Sequence, residues 1–430
     1  MATSDALLLL GILVIAGHAL QLLFKKTLIP DVLWIMIAGL VVGPLGLEYL
    51  SPDDFGKLGP LFSSVALVVL LFDGGSHLNL KDLKAVAGSL LGMTFLTLAC
   101  SLGVIYAIVY VHTQDVGSSL VAAATLSATS AVVVVPFVRG LPIHNKTQNL
   151  LLAEAVIADI LCIVLSFAVF DTIRSSIFDG HVVVKNLLSS ILGAGILGIL
   201  GALLWSVLMV KFATLISALS LTLGTLFIIF GICENFHWSG PFAALCFGFV
   251  LNNRAKIPFL YEKLQVSGLD EMNQQAFQRL SDAILQEVIF MLKLFFFLFL
   301  GIQLKLNNPQ ILAYSLVIVV GVYSLRLLVT RLVLSRKFYQ FDAGVIALMV
   351  PKGLVSAVLA TQALEYIPEH GAWIEELVFA VIFWTILMSS VNVPLLKTDA
   401  GRRAVAKIFS TFQQREPEVE KFSPVEAPEA

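Results

Sequence analysis

Charge is scarce in this chain. Only 13% of its 430 residues are Asp, Glu, Lys or Arg, while 58% are hydrophobic. Soluble domains carry about 25% charged residues, so a water-soluble fold is excluded and a bilayer is the natural solvent. Cysteine is scarce too. Cys100, Cys162, Cys233 and Cys246 all lie in apolar stretches without metal-ligand spacing, and they are expected to be reduced core residues. The net charge of −2 gives no reason to expect nucleic acid as a partner. No HExxH occurs, and FDGG alone is not a paired-aspartate protease signature, so an intramembrane enzyme is not expected. No nucleotide-binding fingerprint follows the apolar region, and no cofactor or nucleotide-binding domain is expected. The first apolar run, SDALLLLGILVIAGHALQLLF, lacks a basic start and an obvious cleavage site; it reads as a retained helix rather than a signal peptide.

What the chain has instead is long apolar runs. A span needs roughly 20 mostly apolar residues, and that length gives about thirteen candidates. They start near Asp5, Pro30, Lys57, Lys84, Gly117, Thr147, His181, Phe212, Gly240, Gln286, Pro309, Phe341 and Trp373. The ninth, at about 240–251, is the shortest. With the N-terminus outside and strict alternation, only Lys57, Arg174, Lys185 and Lys305 of the 27 Lys and Arg fall outside. Lys293, Arg326 and Lys352 lie within spans, and the rest lie inside. That bias supports an outer N-terminus and a cytoplasmic C-terminus. The domain expectation is a transmembrane unit over 1–407, with a polar cytoplasmic loop at about 252–285 that holds some amphipathic helix. A Pro- and Glu-rich tail over 408–430 is expected to be disordered.

Two spans invite interruption. The fifth carries Thr125, Ser127, Thr129 and Ser130 at its centre, with Pro136 following, and the twelfth carries Pro351, Lys352 and Gly353. They lie seven spans apart, and an odd offset inverts topology. Inverted repeats with discontinuous helices at matching positions point to a transporter's midplane site. The plainer alternative is that Ser and Thr bond to preceding carbonyls and that proline merely kinks the helix.

Asp159 lies within the apolar run 149–171, with Glu154 five positions earlier. An ionisable group in lipid surroundings costs about 2.5–3.5 kcal/mol on insertion scales, so it is a functional-site hypothesis by default. Counting from the inner side at 1.5 Å per residue puts Asp159 near the midplane, level with Thr129, Ser130 and Lys352. A carboxylate, hydroxyls and freed carbonyls at one depth suit a hard monovalent cation. The same carboxylate can take a proton instead, since a low-dielectric interior penalises charge. One group that holds either a cation or a proton is the minimal chemistry of an exchanger. The other reading is a structural Asp paired with Lys352 or Arg326. Glu154 and Arg326 match in depth and are expected to pair as scaffold. Lys352 would meet the carbonyl end of an interrupted helix. Asp73 either lines the cytoplasmic approach or simply reaches solvent. Lys293 is read as snorkelling to the inner interface, and His18 as a core histidine with a satisfied hydrogen bond.

Several motifs, in order, resemble the monovalent cation:proton antiporter superfamily, the sodium/proton exchangers. LLFDGG is similar to that family's LFEGG, SATSAVVV to its TATS or TDP segment, and EAVIAD to its Glu-x-x-x-Asn-Asp or Asp-Asp signature. FFFLFLGIQL is similar to FFxxxG, and MVPKGLVSAVLA to (P)RGxVSLALA. The resemblance implies an all-α polytopic fold of about 13 transmembrane helices, with inverted repeats and two crossed discontinuous helices. It also implies core and dimerisation subdomains, a homodimer, and an elevator-like movement of the core. By position it implies Asp159, Thr129, Ser130 and Ala155 at the ion site, with Asp159 and Thr129 holding the monovalent cation and Thr129 giving a backbone ligand. Glu154 with Arg326 would be the intramembrane pair, Asp73 the acid of the cytoplasmic funnel and Lys352 the crossing-helix charge. Ala158 stands where the family has Asn or Asp, which favours one-for-one exchange, and Lys352 replaces the usual Arg without its bidentate fork. The expected function is Na⁺ (or K⁺ or Li⁺)/H⁺ antiport in a bacterial-type plasma (inner) membrane. A cation efflux channel or a solute symporter on a related inverted-repeat fold is the alternative.

Overall fold

The computed structural model describes residues 8, 11–19, 30–55, 58–76, 80–175, 180–212, 218–236, 238–253 and 271–414. Lys25, Lys26, Lys57, Arg254 and Lys256, the middle of the expected loop and residues 415–430 of the expected tail lie outside these. The described residues are almost entirely helical. After the helical stretch 11–19 the elements run α1 Asp31–Val42, α2 Pro52–Phe55, α3 Leu58–Ser76, α4 Leu80–Thr113, α5 Val116–Thr125 and α6 Ala131–Gly140. They continue as α7 Asn145–Ser175, α8 Gly180–Phe212, α9 Ala218–Asn235, α10 Gly240–Asn253, α11 Glu271–Gln303 and α12 Pro309–Val333. The series ends with α13 Gln340–Leu348, α14 Leu354–Tyr366, α15 Gly371–Leu395 and α16 Asp399–Ile408. Among the described residues six helices are long and apolar enough to cross a membrane, and shorter apolar helices accompany them.

Local chemistry sets the helix ends. Asn308 caps α12 by accepting the Gln310 amide at 3.0 Å, with Pro309 at the first helical position, where its missing N–H costs nothing. Asp115 caps α5 by accepting the Ser118 amide at 2.7 Å and the Gly117 amide at 3.4 Å. The Ser118 side chain foremost, and then these amide bonds, hold the Asp115 carboxyl below its ordinary range although partial burial opposes them. A group with a depressed folded pKa stabilises above its unfolded value, and the contribution disappears as pH falls through the folded one. Asp115→Ala is therefore expected to cost about 1 kcal/mol of thermal stability at neutral pH, with the deficit vanishing at strongly acid pH. A melting-temperature series in detergent checks this; a pH-independent deficit would contradict the capping account.

Two close helix crossings build the scaffold. Gly39 of α1 and Gly301 of α11 lie where a Cβ would strike the Leu298 and Met36 carbonyl oxygens. Gly75 of α3 and Gly248 of α10 stand likewise against the carbonyls of Leu245 and Phe72. Glycine permits this backbone contact, as small residues do wherever membrane helices pack tightly. Counting spans, the second crosses the tenth and the third crosses the ninth. A shift of seven exchanges these two pairs, in keeping with the inverted repeat.

Several expectations are corrected here. Lys293 does not snorkel: its Nζ donates to Asp31 Oδ2 at 2.6 Å between α11 and α1, with side chains 13% and 6% exposed. An ion pair so nearly enclosed is held by its partner rather than by interfacial water. His18 bonds to the Val14 carbonyl at 3.0 Å but is 48% exposed rather than core. Helix α11 begins at Glu271, within the loop expected to hold some amphipathic helix, and here the structure agrees: the helix runs on without a break into the tenth span. Residues 408–414, expected in the disordered tail, are docked. Phe409 and Phe412 are buried, and Gln340 N donates to Gln413 O at 3.0 Å while Gln413 N donates to Phe338 O at 3.2 Å. Two buried aromatics supply the apolar area that a disordered segment lacks.

Candidate ion site at the crossing

Both expected interruptions are present. Residues 126–130 separate α5 from α6, and residues 349–353 separate α13 from α14. Pro351 has no N–H to continue a helix, but its carbonyl accepts the Ser130 amide at 2.8 Å, so the two unwound stretches bond where they cross. Gly353 makes that approach possible: a Cβ there would run into the Ser130 hydroxyl. Pro136 falls within α6 rather than in the break.

Freed backbone groups in a membrane interior must find partners, and the partners here are mostly side chains. The Ala131 amide, first in α6, donates to Asp159 Oδ2 at 3.2 Å. A helix N-terminus carries partial positive charge, so it favours the carboxylate. At the opposite ends, Lys352 Nζ donates to the Ser127 carbonyl at 3.3 Å, and Arg326 Nε donates to the Ile346 carbonyl at 3.1 Å, near the end of α13. Cations thus face carbonyl ends and the anion faces an amide end. Cys162, three residues after Asp159 on α7, directs its thiol at the carbonyls of Ala124 (3.2 Å) and Thr125 (3.4 Å). Ser127 Oγ donates to the same Ala124 carbonyl at 2.8 Å.

Asp159 is 3% exposed and forms no ion pair among the described residues. It lines a small cavity with Ser130, Ala131 and Val132, closed by Leu67, Leu70, Leu71 and Gly74 of α3, Val156 of α7, and Leu354 and Val355 of α14. Asp159 is the cavity's one carboxylate and Ser130 its one hydroxyl side chain. Thr129 precedes Ser130 in the unwound stretch, and Ala155 lies one turn before Asp159 on the same face of α7; both are buried. Asp73 is not in the cavity wall, although Leu71 and Gly74 are. It is half-buried and accepts from Gln286 Nε2 at 3.2 Å across to α11.

Glu154 and Arg326 meet in the interior, 3% and 1% exposed. Arg326 Nη2 donates to Glu154 Oε2 at 2.7 Å, Nη1 bonds the other carboxylate oxygen, and Nη1 also donates to Thr97 Oγ1 at 2.7 Å. One guanidinium thereby ties α12 to α7, α4 and α13. Five residues at about 100° each turn Glu154 roughly 140° from Asp159 around α7, so the two acids face different neighbours.

Three features escaped sequence reading. Asp31 is the buried partner of Lys293. Asp342, 2% exposed at the start of α13, accepts from Thr147 Oγ1 at 2.6 Å and contacts His144 Nδ1 at 3.0 Å. Thr385 of α15 accepts the Lys352 amide at 3.0 Å. Acidic content alone could have flagged Asp31 and Asp342. Thr385 left no signal in the sequence.

The chain resembles known proteins along almost its whole length. Residues 10–398 match the family described as "Sodium/hydrogen exchanger, transmembrane". Sodium/hydrogen exchanger 8 of Arabidopsis thaliana is 26% identical over 204 residues, covering 44% of this chain and 27% of its own length. Sodium/hydrogen exchanger 7 of the same plant is 25% identical over 256 residues, covering 56% of this chain and 22% of its own. The chain therefore spans about a quarter of the length of these relatives. A solved sodium proton antiporter of Methanocaldococcus jannaschii at pH 8 superposes with a TM-score of 0.71 at 20% identity, over 95% of this chain and 100% of that one, and so shares its fold. By these matches and this architecture the chain is an integral membrane protein and belongs to the transmembrane sodium/hydrogen exchanger family.

Proposed function

We propose that the protein exchanges Na⁺, or K⁺ or Li⁺, for H⁺ across a membrane, with Asp159 as the carboxylate that carries each in turn. The observation that carries this reading is a lone buried carboxylate at the N-terminus of half-helix α6, in a cavity it shares with Ser130. Thr129 and Ser130 supply oxygen ligands from the unwound stretch, beside Ala155 on the Asp159 face. Glu154 with Arg326 holds the scaffold, Lys352 neutralises carbonyl ends, and Asp73 sits on the cytoplasmic approach. With Ala158 beside it, Asp159 has no second acid to take a second proton, so exchange is one-for-one and electroneutral. The unit over 1–407 comprises core and dimerisation subdomains and works as a homodimer in a bacterial-type plasma membrane. Its N-terminus is outside and its C-terminus cytoplasmic, as the distribution of Lys and Arg favours.

Proteoliposomes with an internal pH dye test this. Adding Na⁺, K⁺ or Li⁺ outside should alkalinise the lumen, since each cation entering is exchanged for a proton leaving, at a rate unchanged by an imposed potential. A voltage-dependent rate would overturn one-for-one exchange. A cation current without proton movement would overturn antiport and favour a channel.

A further inference from the structure

A second support for the crossing comes from α15. Lys352 sits in the unwound stretch 349–353, fully buried, where its amide has no helical carbonyl to meet. Thr385 Oγ1, also fully buried, accepts that amide at 3.0 Å. The same hydroxyl lies 3.0 Å from the Ile382 carbonyl on its own helix and donates to it. Its proton is thereby committed, and a lone pair is left for Lys352. The backbone of Thr385 is itself held: Tyr323 Oη donates to the Thr385 carbonyl at 3.0 Å and lies 2.7 Å from Ser389 Oγ. Tyr323 stands on α12 three residues before Arg326, so it is on the same helix face. Arg326 fixes the far side of the break by bonding Ile346 O. Helix α12 therefore grips both sides of the interruption, directly through Arg326 and through Thr385 by way of Tyr323.

We infer that Thr385 is a positioning residue for ion binding: its hydroxyl fixes the Lys352 amide, and through it the register in which Pro351 O receives the Ser130 amide beside Asp159. A buried amide left without an acceptor pays the full desolvation penalty of that group, and the stretch relieves that cost by shifting. Any shift carries Pro351 and Gly353 with it, and these hold Ser130 against the cavity. The site's ligand geometry depends in this way on a side chain that does not touch the ion. A threonine on a membrane helix is more often a back-bonding residue alone; here that bond is present and the acceptor lone pair is used as well.

The inference rests on the exchange reading, and its test separates the two. Wild type, Thr385→Val, Thr385→Ser and Tyr323→Phe are reconstituted, and exchange is measured per folded protein against cation concentration. Wild-type exchange tests the exchange reading alone. Thr385→Val removes the acceptor with little change of volume. It is expected to raise the half-saturating cation concentration at least fivefold, while Thr385→Ser stays within twofold of wild type. Tyr323→Phe should raise it less, in the same direction. A purely structural threonine would lower the yield of folded protein and leave half-saturation unmoved. Wild-type half-saturation in Thr385→Val overturns the assignment. So does a Thr385→Val that fails to fold while Tyr323→Phe folds with wild-type half-saturation. If Thr385→Val fails to fold and Tyr323→Phe moves half-saturation, the assignment stands.

Discussion

Asp159→Asn is expected to abolish cation/proton exchange while leaving the protein folded. Asparagine matches aspartate in shape, and its oxygen can still accept the Ala131 amide that now bonds Asp159 at 3.2 Å. What it lacks is the negative charge. A full charge 4 Å away is worth about 4 kcal/mol at an effective dielectric of 20, which is roughly a thousandfold in cation affinity. The rest of the cavity wall offers little to replace it, since Ser130 contributes its one other polar side chain. Dye-reported exchange should fall to the level of empty liposomes, with the melting temperature in detergent close to wild type. Wild-type exchange in Asp159→Asn would remove the central assignment. A related result is expected of the unmodified protein: because one carboxylate serves both ions, acidification should raise the half-saturating cation concentration without lowering the rate at saturation. Loss of maximal rate at unchanged half-saturation would mean that the proton acts elsewhere.

How far such a site could be read from sequence depends on what each residue's position follows from. Asp159, Glu154 and Arg326 lie on uninterrupted helices, α7 and α12. Depth there is simply residue count times rise, and it correctly placed a carboxylate opposite a guanidinium. The breaks were legible for another reason: hydroxyl clusters and a Pro-Lys-Gly run weaken a helix locally, and the odd spacing of the two spans gave their relation. Partner choice was not legible where it is tertiary. Lys293 counts as shallow and by depth alone is free to reach water, yet its carboxylate partner is Asp31, brought against it by the glycine contact of α1 with α11. The docking of Phe409 and Phe412 likewise depends on a receiving surface near Phe338 and Gln340 that no local pattern announces. Thr385 was silent because threonine is ordinary in a membrane helix, and only the opposing amide of Lys352 gives it a task.

The Glu154–Arg326 pair should give the largest loss of stability, and the pattern of loss tells a scaffold from a titrating site. Removing one member of a buried pair strands the other charge, at about 3–5 kcal/mol. Glu154→Gln leaves the guanidinium without its counter-charge: one amide oxygen can still accept from it, beside Thr97 Oγ1 and the Ile346 carbonyl, but the second carboxylate bond is lost. Arg326→Gln strands a carboxylate and also frees the end of α13. The double variant buries two neutral amides that can bond each other, and it loses the Arg326 contact to Ile346 in either case. Its loss should therefore be smaller than the sum of the singles by more than Arg326→Gln costs alone, about 3–5 kcal/mol. Glu154→Gln alone should destabilise more than the double change. Thermal unfolding of the four proteins in one detergent measures this cycle. Additive losses, or equal losses for Glu154→Gln and the double variant, would contradict mutual neutralisation. The same cycle bears on function through geometry. Because Arg326 Nε holds the carbonyl of Ile346 next to the break, any surviving Arg326 variant should also bind the cation more weakly, whereas Glu154→Gln, which keeps that bond, should not.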